Sequence, residues 1–375
     1  MKTRVFDSIR DVPKEQWGHL LKDHSCTQSY EFWDVVEQSN LNDFSYSHAI
    51  FYDDADNPVA LASFYSITTD IAIFAPETLR RFLLKVRRFF PNFLKFKMLE
   101  CGTPITINKP FVVIDAGCRN EVIKSLCALL TGIAKKQGHF LIVVRDFEPE
   151  SEDMQPVFKD LGFHLVDSLP TTYMEIAWAT HDEYLSSMKS YYRSKLLKHM
   201  KINQSLETHH VLRENFDDLA DLLCSQWRVV HDNASEYQRE ILTPEFYKFF
   251  SSMLGKSSKV LLFYRGAELI GHALLLMDGD MLRWLYFGRN DAVKDSLYIY
   301  VGNAVIETAI ALGAKRLEMG LTTYAIKKDL GAYMSPIKLG LRSPSCIINP
   351  FVGMFYPLLN HTPEIQNKGI YKINE

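Results

Sequence analysis

Apolar and polar residues follow two rhythms along this 375-residue chain. The clearer helical one begins after Ser296. Leu297, Ile299, Val301, Val305, Ile306, Ala309 and Ile310 recur at three- and four-residue spacing, which predicts a helix over 296–312. Ser296 stands where a hydroxyl can cap it, and Gly313 stands where a left-handed residue can close it. A strand over 315–319, a break at Gly320, a helix over 322–330 ending at Gly331 and an alternating stretch over 337–342 follow. The second rhythm has period two. It predicts a meander of strands over 259–264, 268–277 and 281–287, with Arg265-Gly266 and Asp278-Gly279 as hairpin turns.

The first half repeats the order. A strand is expected over 4–9, helices over 13–22 and 30–38, and paired strands over 44–52 and 58–66. Residues 100–114 read as strand, and 120–136 as a helix closed by Gly138. An apolar strand over 140–147, a helix over 154–161 closed by Gly162 and a β-rich stretch over 163–176 complete it. Both halves carry Lys-Asp-Leu-Gly at the same place in this order, at 159–162 and 328–331. One α/β unit is therefore present twice. Between the copies, 180–203 reads as a linker helix with Thr180 as its cap and Glu183 at the capping-box position. It carries the cationic run Arg193, Lys195, Lys198 and Lys201. The expected division is 1–178, a linker 179–205 and 206–375. The fold class is α/β (α+β), with each half a mixed, mostly antiparallel sheet flanked by helices.

Composition narrows the function classes. The formal charge is −3, so no global basic field points to nucleic acid. The six cysteines form no CxxC pair and none has a histidine at zinc-finger spacing, so no metal site is expected. No apolar span reaches the length that crosses a bilayer, and no signal-peptide core is visible near Met1, so a cytoplasmic protein is expected. Two stretches are unusual. Residues 79–97 interleave five phenylalanines with seven arginines and lysines, around Pro91. Residues 349–359 are strongly apolar. Both suit contact with a membrane surface, peripheral at the inner membrane, or with a long acyl chain; each also suits a helix docked on a core.

The element order resembles the GNAT N-acyltransferase superfamily. Two copies in one chain resemble the Fem-type aminoacyl transferases and the FemAB-like N-acyltransferases. The carriers are Leu161-Gly162-Phe163 and the run Gly320, Tyr324, Lys327, Leu330 and Gly331, together with Tyr192-Arg193 on the basic helix. The resemblance implies a tandem GNAT-like fold and amide formation in the second half. One departure matters. Nucleotide-using members have a glycine-rich turn after the fourth strand, where bare amides cradle a pyrophosphate. Here that junction, Gly288 to Ser296, has one glycine and the acids Asp291 and Asp295.

Amide formation needs a neutral amine, a polarised carbonyl and a proton for the leaving group. His272, Glu318 and His231 are candidate bases. Lys327, with Tyr324 on the same helix face, could meet developing negative charge. Arg193, Trp227, His231, Tyr286, Arg289 and Tyr298 are candidate substrate-binding residues. Bland alternatives exist for each: a core histidine, an exposed strand end, a solvated lysine. The expected activity is transfer of an acyl group from acyl-CoA or an acyl carrier protein to a primary amine, such as a long-chain amino-lipid, without a resident cofactor. A Fem-type transferase fed by aminoacyl-tRNA and an inactive GNAT-like binding module are the alternatives.

Overall fold

The computed structural model describes residues 1–21, 25–74, 77–234, 240–291, 293, 295–359 and 362–372, with the side chains of 73, 74, 77–79 and 357–359 left aside. Lys22, the Leu79 side chain, Ala292, Lys294 and the end of the apolar tail therefore lie outside it.

The first half contains β1 (Lys2–Phe6), α1 (Lys14–Leu20), α2 (Tyr30–Gln38), β2 (Ser45–Tyr52), β3 (Pro58–Asp70) and α3 (Glu77–Val86). It continues with β4 (Lys95–Cys101), β5 (Phe111–Val113), α4 (Arg119–Gln137), β6 (Leu141–Phe147), α5 (Gln155–Asp160), β7 (His164–Asp167) and β8 (Thr171–Glu175). Then come α6 (His181–Ser187), α7 (Ser190–Ser205), β9 (Thr208–Arg213), α8 (Ala220–Asn233), α9 (Pro244–Leu254), β10 (Ser258–Arg265), β11 (Glu268–Asp278) and β12 (Met281–Arg289). The chain closes with α10 (Leu297–Ala311), β13 (Arg316–Glu318), α11 (Tyr324–Leu330), β14 (Tyr333–Ser335), β15 (Lys338–Arg342) and α12 (Asn349–Leu359).

Local chemistry places many of these boundaries. Thr180 accepts from the Glu183 amide at 3.2 Å, and the Glu183 carboxylate accepts from the Ala179 amide at 2.9 Å, which is the expected reciprocal cap of α6. Thr243 caps α9 and Pro244 opens it. Gly266 and Gly279 take positive φ at the two predicted hairpin turns. Gly162 after α5 and Gly331 after α11 both take left-handed φ, +81° and +106°, so the two Lys-Asp-Leu-Gly copies end equivalent helices in the same way. The predicted cap of α10 differs. Ser296 itself is left-handed and its hydroxyl turns to His199 Nδ1 at 2.9 Å; Asp295 accepts from the Leu297 amide instead, at 3.1 Å. In the basic stretch, α3 stops before Pro91 as expected, but β4 starts at Lys95, so Phe96 is a strand residue stacked on Phe140.

There are two compact units, and neither is continuous in sequence. The first holds a sheet of order β1-β2-β3-β4-β6-β15-β7, with β5 beside β3. The second holds β14-β8-β13-β12-β11-β10-β9. Each sheet has an antiparallel run joined to one parallel pair, β4 with β6 and β12 with β13. Beyond that pair each sheet uses a strand from the other half of the chain. β15 inserts antiparallel between β6 and β7, and β8 inserts antiparallel between β13 and β14. Strand pairing thus crosses the contiguous division at 178 and 205 in both directions.

Each unit has its own core. In the first, α4 and α5 bury Val122, Leu126, Leu130 and Phe158 against Phe51, Phe64, Ile142 and Val144. In the second, α10 is apolar on nearly every side and is correspondingly enclosed, packing on α6, α7, α11 and β11. Burying each of its valines and isoleucines contributes roughly 1.5–3 kcal/mol.

A proline inside a central strand removes a ladder bond on one side and clashes on the other. Leu341→Pro, although late in the sequence, is expected to strip hydrogen-exchange protection from β6 and β7 while β9, β10 and β11 keep theirs. Intact protection in β6 would refute the exchanged-strand arrangement.

Candidate active site

The site of the second unit starts where β12 and β13 part. Their parallel pairing covers Met281 with Arg316, Leu282 with Leu317 and Arg283 with Glu318, and ends there. β12 runs on to Arg289, still paired with β11 on its other edge. From Trp284 onward, among the described residues, no strand pairs with the edge toward β13. Backbone groups on such an edge can take an extended ligand or polarise a carbonyl.

A buried ionic cluster holds the fork. Arg283 donates Nε to Asp278 at 2.8 Å and Nη1 to the Glu318 carboxylate, and all three side chains are enclosed. Burial alone would disfavour the arginine's charge, but Glu318 and Asp278 outweigh it and push its pKa up. Glu318 is thus neither an exposed strand end nor a reachable base; its carboxylate is committed to Arg283.

Across the gap from β12 lies the loop Gly320–Thr323. Gly320, Thr322 and Thr323 have φ of +70°, +67° and +51°. For two β-branched residues the left-handed region costs about 1–2 kcal/mol each. Lys327 holds the loop in place. Its ammonium is buried and donates to the carbonyls of Leu321 at 2.8 Å and Gly320 at 3.2 Å; Thr172 donates to the Gly320 carbonyl at 2.6 Å. The Lys327 ammonium, expected to meet developing negative charge, is here directed at two backbone carbonyls of its own chain. Lys327 is a positioning residue for one wall of the gap. Tyr324 is half-buried at the first residue of α11.

The other wall is aromatic, and a β-bulge arranges it. Leu275 pairs with Trp284 and Leu274 with Tyr286, so Leu285 is an extra residue in β12. It shifts the phase of side-chain alternation. Trp284 and Phe287, three apart, both meet Tyr298 of α10, at ring distances of 5.3 Å. Tyr286 instead meets Trp227 of α8 and Phe246 of α9 edge-on. The Trp284 indole donates to the Tyr286 carbonyl at 3.1 Å, which fixes the bulge. The Tyr286 hydroxyl donates to Glu240 at 2.8 Å. His231 lies 4.6 Å from the Trp227 ring and keeps Nδ1 3.1 Å from Asp232.

The structure therefore brings Trp227, His231 and Tyr286 together on one face of β12 and places Tyr298 with Trp284 and Phe287 on the other. It does not bring His272 there. That imidazole is 0% exposed, with Nδ1 2.9 Å from Gln226 and Nε2 3.1 Å from the Tyr247 hydroxyl. Burial lowers its pKa to about 3. A sealed histidine with both nitrogens engaged cannot take a proton from a substrate amine, so it is a core residue. Arg193 lies half-buried on α7 and makes no side-chain hydrogen bond or ion pair to the aromatic group among the described residues. Glu240, Trp284 and Arg283 were not singled out from sequence. Glu240 sits in an irregular connection with no pattern to mark it, whereas Trp284 and Tyr286 on one strand were a readable aromatic signal.

Arg289 is also committed. Its guanidinium meets Asp295 at 3.2 Å and Asp291 at 3.0 Å, and Arg265 meets Asp295 at 2.9 Å. Partial burial pushes the Asp295 carboxyl up, but Arg265, the Leu297 amide and Arg289 hold it net below the usual range. This carboxylate occupies the amide-rich start of α10, where an anion would otherwise be favoured. The acids at this junction are thus not free to repel a phosphate; one of them fills the place.

These features define a tandem GNAT-fold protein. Solved structures with this fold include FemX, at 13% identity and TM-score 0.56, covering 90% of this chain and 97% of that one. A tandem GNAT protein from the clavulanic acid biosynthesis pathway matches at 10% identity and TM-score 0.53, covering 92% and 99%. The L-PGS of Bacillus licheniformis matches at 11% identity and TM-score 0.52, covering 93% and 96%. The chain belongs to the FemAB-like family, described as peptidoglycan biosynthesis/recognition, whose model matches residues 8–324. It is also 27% identical over 323 residues to a putative 8-amino-7-oxononanoate synthase 2 of Mycobacterium tuberculosis, a match of 84% of this chain but 42% of that protein. The chain thus spans less than half the length of the curated relatives it matches.

Two outcomes follow from the charges. His272 is held neutral in the folded chain down to about pH 3, while its unfolded counterpart binds a proton below about 6.5. The unfolded state gains protons first, so stability falls as pH drops from 6.5 toward 3. His272→Gln is expected to flatten that slope in unfolding titrations by a few kcal/mol; an unchanged slope would contradict the burial. Asp295→Ala leaves Arg265 and Arg289 beside a bare helix start. Calorimetry is expected to detect pyrophosphate binding to this variant and none to the parent chain.

Proposed function

We propose that this chain is an amide-forming N-acyltransferase that moves an acyl group from a thioester carrier to a primary amine on an alkyl chain. The observation that carries this is the parted edge of β12 beyond Arg283, with Trp227 and Tyr286 on one face of the strand and Trp284 and Tyr298 on the other. The acyl carbonyl lies against that edge, and a backbone amide of β12 donates a hydrogen bond to the developing oxyanion. The amine nitrogen attacks the carbonyl carbon. Its proton passes to the Tyr286 oxygen as the Tyr286 hydroxyl proton moves to Glu240, 2.8 Å away. The carbon–sulfur bond breaks, and the proton held by Glu240 returns through Tyr286 to the leaving thiolate, so the pair ends as it began.

Two facts support the substrate class. The rings on either face of β12 are apolar and suit a hydrocarbon chain. The relative from Mycobacterium tuberculosis is named for a product that carries an amino group on an aliphatic chain. The filled anion place at α10 supports a carrier protein over free coenzyme A as donor.

A second reading is favoured by the same filled place together with the likeness to FemX: an aminoacyl ester on tRNA as donor. Both chemistries use an amine and an activated carbonyl, so the donor distinguishes them. Purified protein is to be incubated with long-chain amines and acyl carrier protein thioesters, and separately with aminoacyl-tRNA. Amide product from the thioester, reduced on the order of 100-fold by Glu240→Gln, is expected. Consumption of aminoacyl-tRNA with no thioester turnover would establish the second reading.

A further inference from the structure

We infer that the first unit carries a built docking element for an anionic lipid surface, formed by α3, the turn after it and α12. From residue 80 to residue 98 the chain has seven arginines and lysines and no acid. One of the seven, Arg87, is spent internally. Its two terminal nitrogens grip Asp70, and its Nε donates to the Phe93 carbonyl at 2.9 Å. Partial burial works to raise the Asp70 carboxyl, but Arg87 brings it net below its ordinary value, so the pair is charged at neutral pH. The Leu94 carbonyl accepts from Ile71 at 3.0 Å, and Leu94 itself sits at φ +63°. A half-buried bidentate pair and a left-handed leucine thus hold the turn 88–93 in one shape.

That shape does not serve the core. Leu83 is the inward anchor of α3, packed on Ala72 and Leu94. Phe89 is 81% exposed, Phe90 66% and Phe82 61%, and Leu84 stands beside them half in water. Exposed large apolar side chains in a fixed turn mark a contact surface. α12 packs against the same turn, Ile71–Phe74, that α3 packs against. It bears no charged residue and presents Phe351, Met354 and Phe355 to solvent.

The chemistry of the surface selects its occupant. Arg81, Lys85, Arg88, Lys95 and Lys97 are exposed around the phenylalanines, which matches anionic headgroups over an apolar layer. A single-stranded nucleic acid would stack on the phenylalanine rings and leave Leu84 and Met354 in water, whereas an apolar lipid layer takes rings and aliphatic side chains alike. The element is independent of the transfer chemistry, so it stands or falls apart from the proposed activity.

The test is cosedimentation of the full chain with vesicles of phosphatidylcholine and phosphatidylglycerol, against vesicles of phosphatidylcholine alone. Binding to the anionic vesicles only is expected. Phe89→Ala with Phe90→Ala is expected to weaken it roughly tenfold or more, with an unchanged unfolding midpoint and unchanged turnover of soluble substrates. Arg87→Gln is expected to weaken binding more than the charge-matched Arg81→Gln, and Arg87→Lys is expected not to restore it, because a lysine cannot grip Asp70 bidentately. No binding, binding indifferent to Phe89 and Phe90, or equal loss from Arg87→Gln and Arg81→Gln would overturn the proposal. So would displacement of the vesicles by single-stranded RNA at equal charge.

Discussion

The Arg283 cluster is the constraint on which the candidate site depends. A guanidinium enclosed with two carboxylates is costly to assemble and more costly to break, because removing one member strands a charge away from water. Its position explains its presence. Arg283 and Glu318 are the last paired residues of β12 and β13. The cluster clamps the strands at the point where they must separate, so the gap opens at a fixed residue and does not zip shut. Asp278, at the far end of β11, ties the third strand into the same clamp. On one side of the resulting gap a buried lysine steadies a strained loop, and on the other a bulge turns aromatic rings to two different faces.

The roles of charge here are mostly internal. Lys327, Glu318 and Arg289 all carry charges that the residue types alone would offer to a substrate. Each is spent on a carbonyl, a guanidinium or a carboxylate of the chain itself. What remains at the gap is a backbone edge, a tyrosine–glutamate pair and apolar rings. Neutral donors shielded from water are worth more than the same groups in solution.

Much of the fold was legible because it is local. The three-stranded meander announced itself by alternation and two glycine turns, and α10 by its spacing. The repeat was visible because the same glycine closes the same helix twice. What was not legible is non-local. Nothing within Thr171–Glu175 says that it pairs with a strand 140-odd residues later and not with the strand just before it, since pairing partners are set by which sheet slot is open. His272 looked like a base because histidines titrate near neutrality. Its fate was decided by Gln226 and Tyr247, which are remote in sequence and close the imidazole off. Of the candidate site, the aromatic residues were readable from type and spacing, whereas Glu240 could be found only by its geometry.

The exchanged strands also impose an order on synthesis. The slot between β6 and β7 is filled by β15, whose first residue is translated 338 − 167 = 171 residues after the last residue of β7. At ribosomal speeds this is roughly 10–35 s, during which the nascent first unit displays two bare β-edges and an unfilled core. The chain therefore leaves the ribosome with an intermediate that holdase chaperones would recognise, and the two ancestral halves can no longer be separated by recombination without leaving both sheets a strand short.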